Sequence, residues 1–271
     1  MGSIAGVGPF SVVIGRMGTD MNKKLIIFLL LLFFPSIVLA TTGQIRNVVG
    51  MAKSSADTYS DILLFNRMES TALSTGDCYG ADSTMSAATS NATFPSDEAE
   101  KLGTYGLKNT GTGTTLLAVS TNDIFDPAEG RVGFWLYFSD AIANNQEFFR
   151  VYGASILNDA YFVNTWGGAL DFNIKNGGTD VAKLASSGVT FSTATWYFIE
   201  VAWKSDSGRK IYVNGVERGS NSTSFTAPSI ATFQFGAYFS GVGARYTDHY
   251  IVSNDWTRNL YDLKDTASCP R

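Results

Sequence analysis

Five residues in the middle of the chain have the chemistry that a sugar-binding site needs: Trp135, Tyr137, Tyr161, Asn164 and Trp166. A flat aromatic ring can cover the apolar face of a pyranose, while nearby amides and carboxylates bind its hydroxyl groups. We therefore take these five as the candidate ligand-binding residues. The alternative is that they are core residues, because large aromatic side chains of a folded domain are mostly buried.

Three aspartates in turn-like sequence could supply oxygen ligands to a calcium ion: Asp123, Asp126 and Asp255. Calcium takes carboxylate and carbonyl oxygens from loops. The chain has no EF-hand, and aspartates in loops usually form turns, so calcium stays an alternative to the expectation of no cofactor. One histidine and two cysteines are too few ligands for a zinc site.

The segments that must position these residues have the periodicity of β-strands. Leu170, Phe172 and Ile174 alternate with polar residues, as in a strand with one face on a core. The run from Gly130 to Phe138 is apolar at both parities, which indicates two covered faces, or one covered face and one that binds a ligand. Many short strands separated by turn residues, without a helical period, predict an all-β protein with an antiparallel β-sandwich.

A hairpin motif identifies the type of sandwich more closely. An aromatic-led strand begins at Trp196, and a second strand ends in Tyr212-Val213-Asn214-Gly215, whose last two residues suit a type I′ turn. This arrangement resembles the laminin-G-like jelly rolls of the concanavalin A-like lectin/glucanase superfamily. Residues 248–260 resemble the last strand of those domains. The resemblance covers about residues 60–265 and implies a concanavalin A-like jelly roll, a fold whose members bind sugars or proteins, hydrolyse glycans or serve as spacers.

The residues that the enzymes of this superfamily use are missing. Its glucanases carry a Glu-x-Asp-x-x-Glu strand, which projects the nucleophile and the general acid onto one face. Glu200 lies in a strand-like run without an acidic partner at that spacing, and His249, the only histidine, lacks the Gln-x-His pattern of jelly-roll alginate lyases. The chain is therefore expected not to be an enzyme.

The amino-terminal region predicts export. Residues 21–40 combine Lys23-Lys24, an apolar run and the small residues before Thr41, as in a signal peptide. An uncleaved anchor is the alternative, but the apolar run is shorter than the roughly 20 residues of a membrane span and contains Pro35. We interpret residues 1–20 as an upstream extension of the gene model, 41–58 as a linker and 59–271 as the laminin-G-like domain. The protein is expected to be secreted or on the cell surface, without a stable membrane span.

The two cysteines predict a disulfide, and the net charge excludes one class of partner. Cys78 and Cys269 both follow the leader, where disulfides persist, so we expect them to be bridged rather than to remain two separate thiols. The formal net charge of −4 and the absence of a Lys/Arg cluster exclude nucleic acid as a partner.

The sequence therefore predicts an exported, non-catalytic module for carbohydrate binding or adhesion, with a glycan or a cell-surface polysaccharide as partner. A structural surface or virion protein without a small ligand is one alternative, and a lyase or hydrolase acting on polysaccharides is the other. Exposure of Trp135 and Tyr137 distinguishes a binding face from a spacer, because only exposed rings can stack on a sugar.

Overall fold

A computed structural model describes residues 59–68, 92–110, 113–114, 118–120, 125–155, 157–239 and 244–266. Within these ranges no helix is long and apolar enough to cross a membrane. The expected signal peptide and linker, Cys78, Cys269 and Asp123 lie outside the described residues, so the predictions made for them remain predictions.

Eight antiparallel strands form sheet A. In spatial order they are β13 (Val216–Asn221), β12 (Gly208–Val213), β11 (Trp196–Lys204), β6 (Glu129–Phe138), β15 (Ala244–Ser253), β3 (Gly106–Thr110) and β2 (Ala92–Ser96), with β1 (Ile62–Asn66) also paired to β15. Two 3₁₀ helices, Asp97–Ala99 and Leu260–Leu263, accompany this sheet.

Seven antiparallel strands form sheet B. In spatial order they are β10 (Thr179–Ala185), β9 (Ala169–Asn176), β8 (Ala160–Trp166), β7 (Gln146–Tyr152), β14 (Thr232–Phe239) and β4 (Gly113–Thr114), with β5 (Ala118–Ser120) also paired to β14. The antiparallel β-sandwich predicted from the alternation of the sequence is confirmed.

The main core lies between the two sheets and consists of their inward-facing apolar side chains. Trp203 of sheet A has no exposed surface, and its ring centroid lies 5.5 Å from that of Tyr161 and 6.2 Å from that of Phe172 in sheet B. The Tyr250 hydroxyl of sheet A donates to the Phe148 carbonyl oxygen of sheet B at 2.9 Å. The layers are therefore joined by packed rings and by polar contacts.

A second, smaller apolar layer covers part of the outer face of sheet A. Its buried members come from β1, β6, β11, β15 and the 3₁₀ helix Leu260–Leu263, and they are Ile62, Phe65, Trp135, Phe198, Ile251, Leu260 and Leu263. This layer explains why β6 is apolar at both parities: its even-numbered side chains Val132, Phe134, Leu136 and Phe138 belong to the main core, and Trp135 belongs to the outer layer.

The turn between β12 and β13 has the geometry that its sequence predicts. Asn214 and Gly215 both have positive φ, at 52° and 76°, as a type I′ turn requires. Asn214 Oδ1 also accepts from the Phe198 amide at 2.8 Å, which ties the turn to β11. A Cβ atom added at Gly215 would lie 2.8 Å from Tyr261 Cδ1, so this position requires glycine for two separate reasons.

A pair of glycine variants separates these two reasons. Gly167 also has a positive φ, 61°, but an added Cβ would meet nothing within 4 Å. Gly167→Ala should reduce the free energy of unfolding by about 1–2 kcal/mol, the cost of a left-handed alanine. Gly215→Ala should reduce it further, because Tyr261 must also move. Urea unfolding monitored by circular dichroism measures both variants, and equal losses would contradict the contact with Tyr261.

Candidate functional site

The alternation along β8 divides the candidate residues between its two faces. Tyr161 points into the main core and has no exposed surface, whereas Asn164 is half-buried on the outer face and Trp166 is 51% exposed. Residues two apart in a strand share a face and residues three apart do not. Asn164 and Trp166 thus belong to one site, and Tyr161 does not.

Asn164 and Trp166 line a cleft of about 330 Å³ on the outer face of sheet B. Strand register brings Glu147 and Asp171 to either side of Asn164, on β7 and β9. Asn173 donates from Nδ2 to Asn164 Oδ1 at 2.8 Å. We call this the sheet-B cleft.

A lysine from β10 joins the aromatic and the acidic parts of the sheet-B cleft. Lys183 Nζ lies 2.8 Å from an Asp171 carboxylate oxygen and 5.8 Å from the centroid of the Trp166 ring. Asp171 is only 2% exposed, and the Lys183 side chain is about half exposed. The cleft therefore combines an accessible indole with two carboxamides and an ammonium group that pairs with a buried carboxylate.

The charges on this face are paired. Glu147 forms an ion pair with Arg150, and Lys175 Nζ lies 3.8 Å from an Asp180 carboxylate oxygen. Burial raises the pKa of the Glu147 carboxyl, while the Arg150 guanidinium acts in the opposite direction. With the pair Lys183–Asp171, each acid here has a basic partner, so the face has no excess charge of either sign.

Trp135, one of the five candidate ligand-binding residues, is buried and does not form a binding face. Its side chain is only 6% exposed, because the carboxy-terminal 3₁₀ helix covers it. The indole Nε1 donates to the Lys264 carbonyl oxygen at 3.0 Å, and Lys101 Nζ lies 4.7 Å from the ring centroid. Trp135 holds the carboxy-terminal segment on sheet A and offers no free ring face.

Tyr161 is likewise a core residue, and its hydroxyl donates to the Pro127 carbonyl oxygen. Tyr137 is half-buried on the outer face of sheet A, with ring centroids 5.2 Å from both Trp196 and Tyr246. This row of three rings lies on the other sheet from Asn164 and Trp166. The five candidates therefore do not form a single site.

The two described aspartates of the calcium alternative act as turn formers. Asp126 Oδ1 accepts from the Ala128 amide at 2.8 Å, and Asp255 Oδ1 accepts from the Thr257 amide at 2.8 Å. Over the described ranges no group of three or more histidine, cysteine or acidic residues is arranged to hold a metal ion.

Sequence reasoning missed Asn173 and Lys183, which line the sheet-B cleft, and Asp171, which forms an ion pair with Lys183. Asp171 and Asn173 carry a signal that could have been read, because they are the polar positions between Leu170, Phe172 and Ile174. Lys183 becomes part of the site only through the pairing of β10 with β9.

The fold has recognisable relatives among solved structures. The binding domain of botulinum neurotoxin serotype D is 14% identical, with a TM-score of 0.58 over 75% of this chain and 52% of that one. A second structure is of botulinum neurotoxin type C, whose cell entry is described as dependent upon interaction with two ganglioside molecules. It is 14% identical, with a TM-score of 0.59 over 78% of this chain and 53% of that one. The botulinum neurotoxin DC binding domain in complex with SialylT is 11% identical, with a TM-score of 0.57 over 75% and 50%.

This chain thus spans about half the length of those structures, and at such identities the likeness shows the fold alone. No curated protein matches the sequence. A family model described as the concanavalin A-like lectin/glucanases superfamily matches residues 110–251, more than half of the chain. The resemblance inferred from the hairpin motif is confirmed: the chain belongs to the concanavalin A-like lectin/glucanase superfamily.

Proposed function

We propose that this protein is an exported glycan-binding module without catalytic activity, and that the sheet-B cleft is its binding site. The observation that carries this proposal is the position of Trp166, a half-exposed indole at the edge of a polar cleft. Large exposed aromatic side chains next to fixed polar groups are characteristic of ligand-binding surfaces.

The polar groups of the cleft suit the hydroxyl groups of a sugar. A carboxylate accepts hydrogen bonds, an ammonium group donates them, and a carboxamide does both. Asn173 is almost fully buried and donates to Asn164, so a ligand would meet carboxamides whose positions are already fixed. Little conformational entropy would then be lost at the site on binding.

The pairing of charges favours a neutral glycan. Each carboxylate of the face is matched by a lysine or an arginine, so neither an anionic nor a cationic sugar would meet a field of opposite sign. Affinity would come from stacking on Trp166 and from hydrogen bonds to Asn164 and Lys183.

Two observations support a non-catalytic function. The Glu-x-Asp-x-x-Glu strand of the glucanases is absent from the sequence. In addition, the acids that line the sheet-B cleft form ion pairs, Glu147 with Arg150 and Asp180 with Lys175. The solved structures with the same fold include toxin binding domains, which fits a binding module as well.

Export and the Cys78–Cys269 bridge are part of this proposal and rest on the sequence alone. A secreted or surface location would bring the sheet-B cleft into contact with cell-surface glycans. Intact-mass measurement of the exported protein, with and without reductant, tests both the cleavage before Thr41 and the bridge.

The direct test of the site is Trp166→Ala. The variant should bind its glycan at least about tenfold more weakly, a loss of about 1.4 kcal/mol or more, because the stacking surface is gone. Its free energy of unfolding should change by less than about 0.5 kcal/mol, since half of the indole is already in water. A glycan array followed by isothermal titration with the best neutral oligosaccharide measures the effect.

Trp196→Ala is the matched control, because Trp196 is a half-buried tryptophan on the outer face of the other sheet. It should leave the affinity unchanged. A silent array, or equal losses in both variants, would contradict the proposal and favour a structural surface protein. Release of reducing ends or unsaturated sugars, abolished by Glu147→Gln or Asp171→Asn, would show an enzyme instead.

A further inference from the structure

The sheet-B cleft has a second aromatic side chain, Phe162, to which the proposed function gives no role. Phe162 lies on β8, lines the same cleft as Trp166 and is half-buried. It belongs to neither of the two apolar clusters that the described residues form, and it is not among the partly buried side chains packed against them. Its ring therefore lies on the outer face of sheet B without contributing to the core.

The strand sets the spacing of the two rings. Phe162, Asn164 and Trp166 alternate with inward-facing residues and so share the outer face of β8. Four residues of an extended strand cover about 13 Å, which is too far for one sugar ring to reach both aromatic rings and suits a linear chain of about three. Asn164 lies between the rings, and its Oδ1 accepts from Asn173 Nδ2 at 2.8 Å. The outer row of β8 is thus aromatic at both ends and polar in the middle.

The two ends of the cleft repeat the same combination of groups. Lys183 Nζ lies 5.8 Å from the ring centroid of Trp166, and Lys175 Nζ lies 5.6 Å from that of Phe162. Each lysine also forms an ion pair with an aspartate, at 2.8 Å for Lys183 and at 3.8 Å for Lys175. A ring beside an ammonium group offers a sugar both a stacking surface and hydrogen-bond donors. The cleft therefore has two similar subsites.

Charged side chains flank the outer row of β8. Strand register places Glu147 of β7 opposite Asn164, and Arg150 of the same strand opposite Phe162. Glu147 and Arg150 form an ion pair, which keeps both beside β8. The lysines of the two subsites come from β9 and β10, on the other side of β8. A ligand that contacts both aromatic rings therefore lies along β8 and not across the sheet.

We propose that the sheet-B cleft binds a linear oligosaccharide of about three or more sugar units, which lies along β8 with one unit on Trp166 and another on Phe162. The units between them contact the carboxamides of Asn164 and Asn173. This inference rests on the proposed function and adds to it a second subsite and the length and direction of the ligand.

A length series tests the two subsites. The probes are the mono- to hexasaccharides of linear β-1,4-glucose, β-1,3-glucose, β-1,4-mannose, β-1,4-xylose and α-1,4-glucose, titrated into the mature chain. For at least one series we expect the affinity to rise at least tenfold from the disaccharide to the tetrasaccharide and to change less than twofold from there to the hexasaccharide. A disaccharide that binds as tightly as the tetrasaccharide, but is lost in Trp166→Ala, would overturn the second subsite and leave the proposed function standing. Absence of binding in every series would overturn both.

Variants of Phe162 place the far end of the ligand. Phe162→Leu, which keeps an apolar side chain but removes the ring, and Phe162→Ala should each weaken tetrasaccharide binding at least fivefold and change disaccharide binding less than twofold. Trp166→Ala should weaken both. Tyr137→Leu is the matched control, because it removes a half-buried ring from the outer face of the other sheet and should change neither affinity. Unchanged tetrasaccharide affinity in both Phe162 variants, with circular dichroism showing that they are folded, would overturn the inference.

Discussion

Trp203→Ala is expected to lower the free energy of unfolding by about 3–5 kcal/mol, which is among the largest effects of a single core substitution. Trp203 has no exposed surface and stacks on Phe125, with ring centroids 4.6 Å apart and an interplanar angle of 16°. Its Nε1 also donates to the Asp126 carbonyl oxygen at 3.0 Å. Truncation would therefore leave a cavity between the sheets and an unsatisfied carbonyl group.

The loss should be visible in both thermal and chemical unfolding. For a domain of this size we expect the melting temperature to fall by on the order of 10 °C. Trp166→Ala serves as the control, because it removes the same side chain from a half-exposed position. Similar losses in the two variants would contradict the assignment of Trp203 to the core and of Trp166 to the surface.

Glu200→Ala should also destabilise the protein by about 3–5 kcal/mol, for an electrostatic reason. The Glu200 side chain is fully buried, and one of its carboxylate oxygens lies 2.8 Å from Arg131 Nη2 and accepts from the Leu260 amide at 3.0 Å. Without Glu200, the buried guanidinium of Arg131 would lose its counter-charge and the carboxy-terminal 3₁₀ helix would lose an anchor. Burial raises the pKa of the Glu200 carboxyl, against the effect of Arg131.

Two further variants separate the ion pair from packing. Glu200→Gln keeps an oxygen that can accept from Leu260 and should cost less than Glu200→Ala. The double variant Arg131→Met/Glu200→Leu should recover most of the loss, because a buried ion pair can often be replaced by apolar residues. The single variants Arg131→Met and Glu200→Leu complete a double-mutant cycle, and urea unfolding of these two, the double variant and the unchanged protein gives the coupling energy. Additive losses would show that the pair does not act as a unit.

The sequence predicted much of the fold because its strands carry a clear period. The aromatic-led strand predicted to begin at Trp196 is β11, and the alternating residues Leu170, Phe172 and Ile174 lie in β9. The strand after Asn214-Gly215 was less clear, since β13 is polar apart from Val216 and none of its residues is buried. Period-2 alternation marks a strand with one buried face, and an edge strand of polar residues gives no such pattern.

The site was predicted only in part, and the reasons differ between residues. For Tyr161 the parity of β8 relative to Asn164 and Trp166 already placed it on the other face. For Trp135 the sequence could not decide, because an outer apolar face can be covered by a ligand or by a distant part of the chain. Here residues 260–264, more than a hundred positions away, cover it. Such long-range contacts have no signature in local periodicity.

The indole N–H signals of the five tryptophans provide the most direct test of the central proposal, glycan binding in the sheet-B cleft. They are recorded by ¹H–¹⁵N NMR of the labelled mature protein during titration with the neutral oligosaccharide that binds best on the array, and each is assigned by its Trp→Phe variant. We predict that the Trp166 signal shifts in a saturable manner, while the signals of the buried Trp135 and Trp203 stay in place. An unchanged Trp166 signal in the presence of bound glycan, or a shift confined to the other tryptophans, would contradict the proposal.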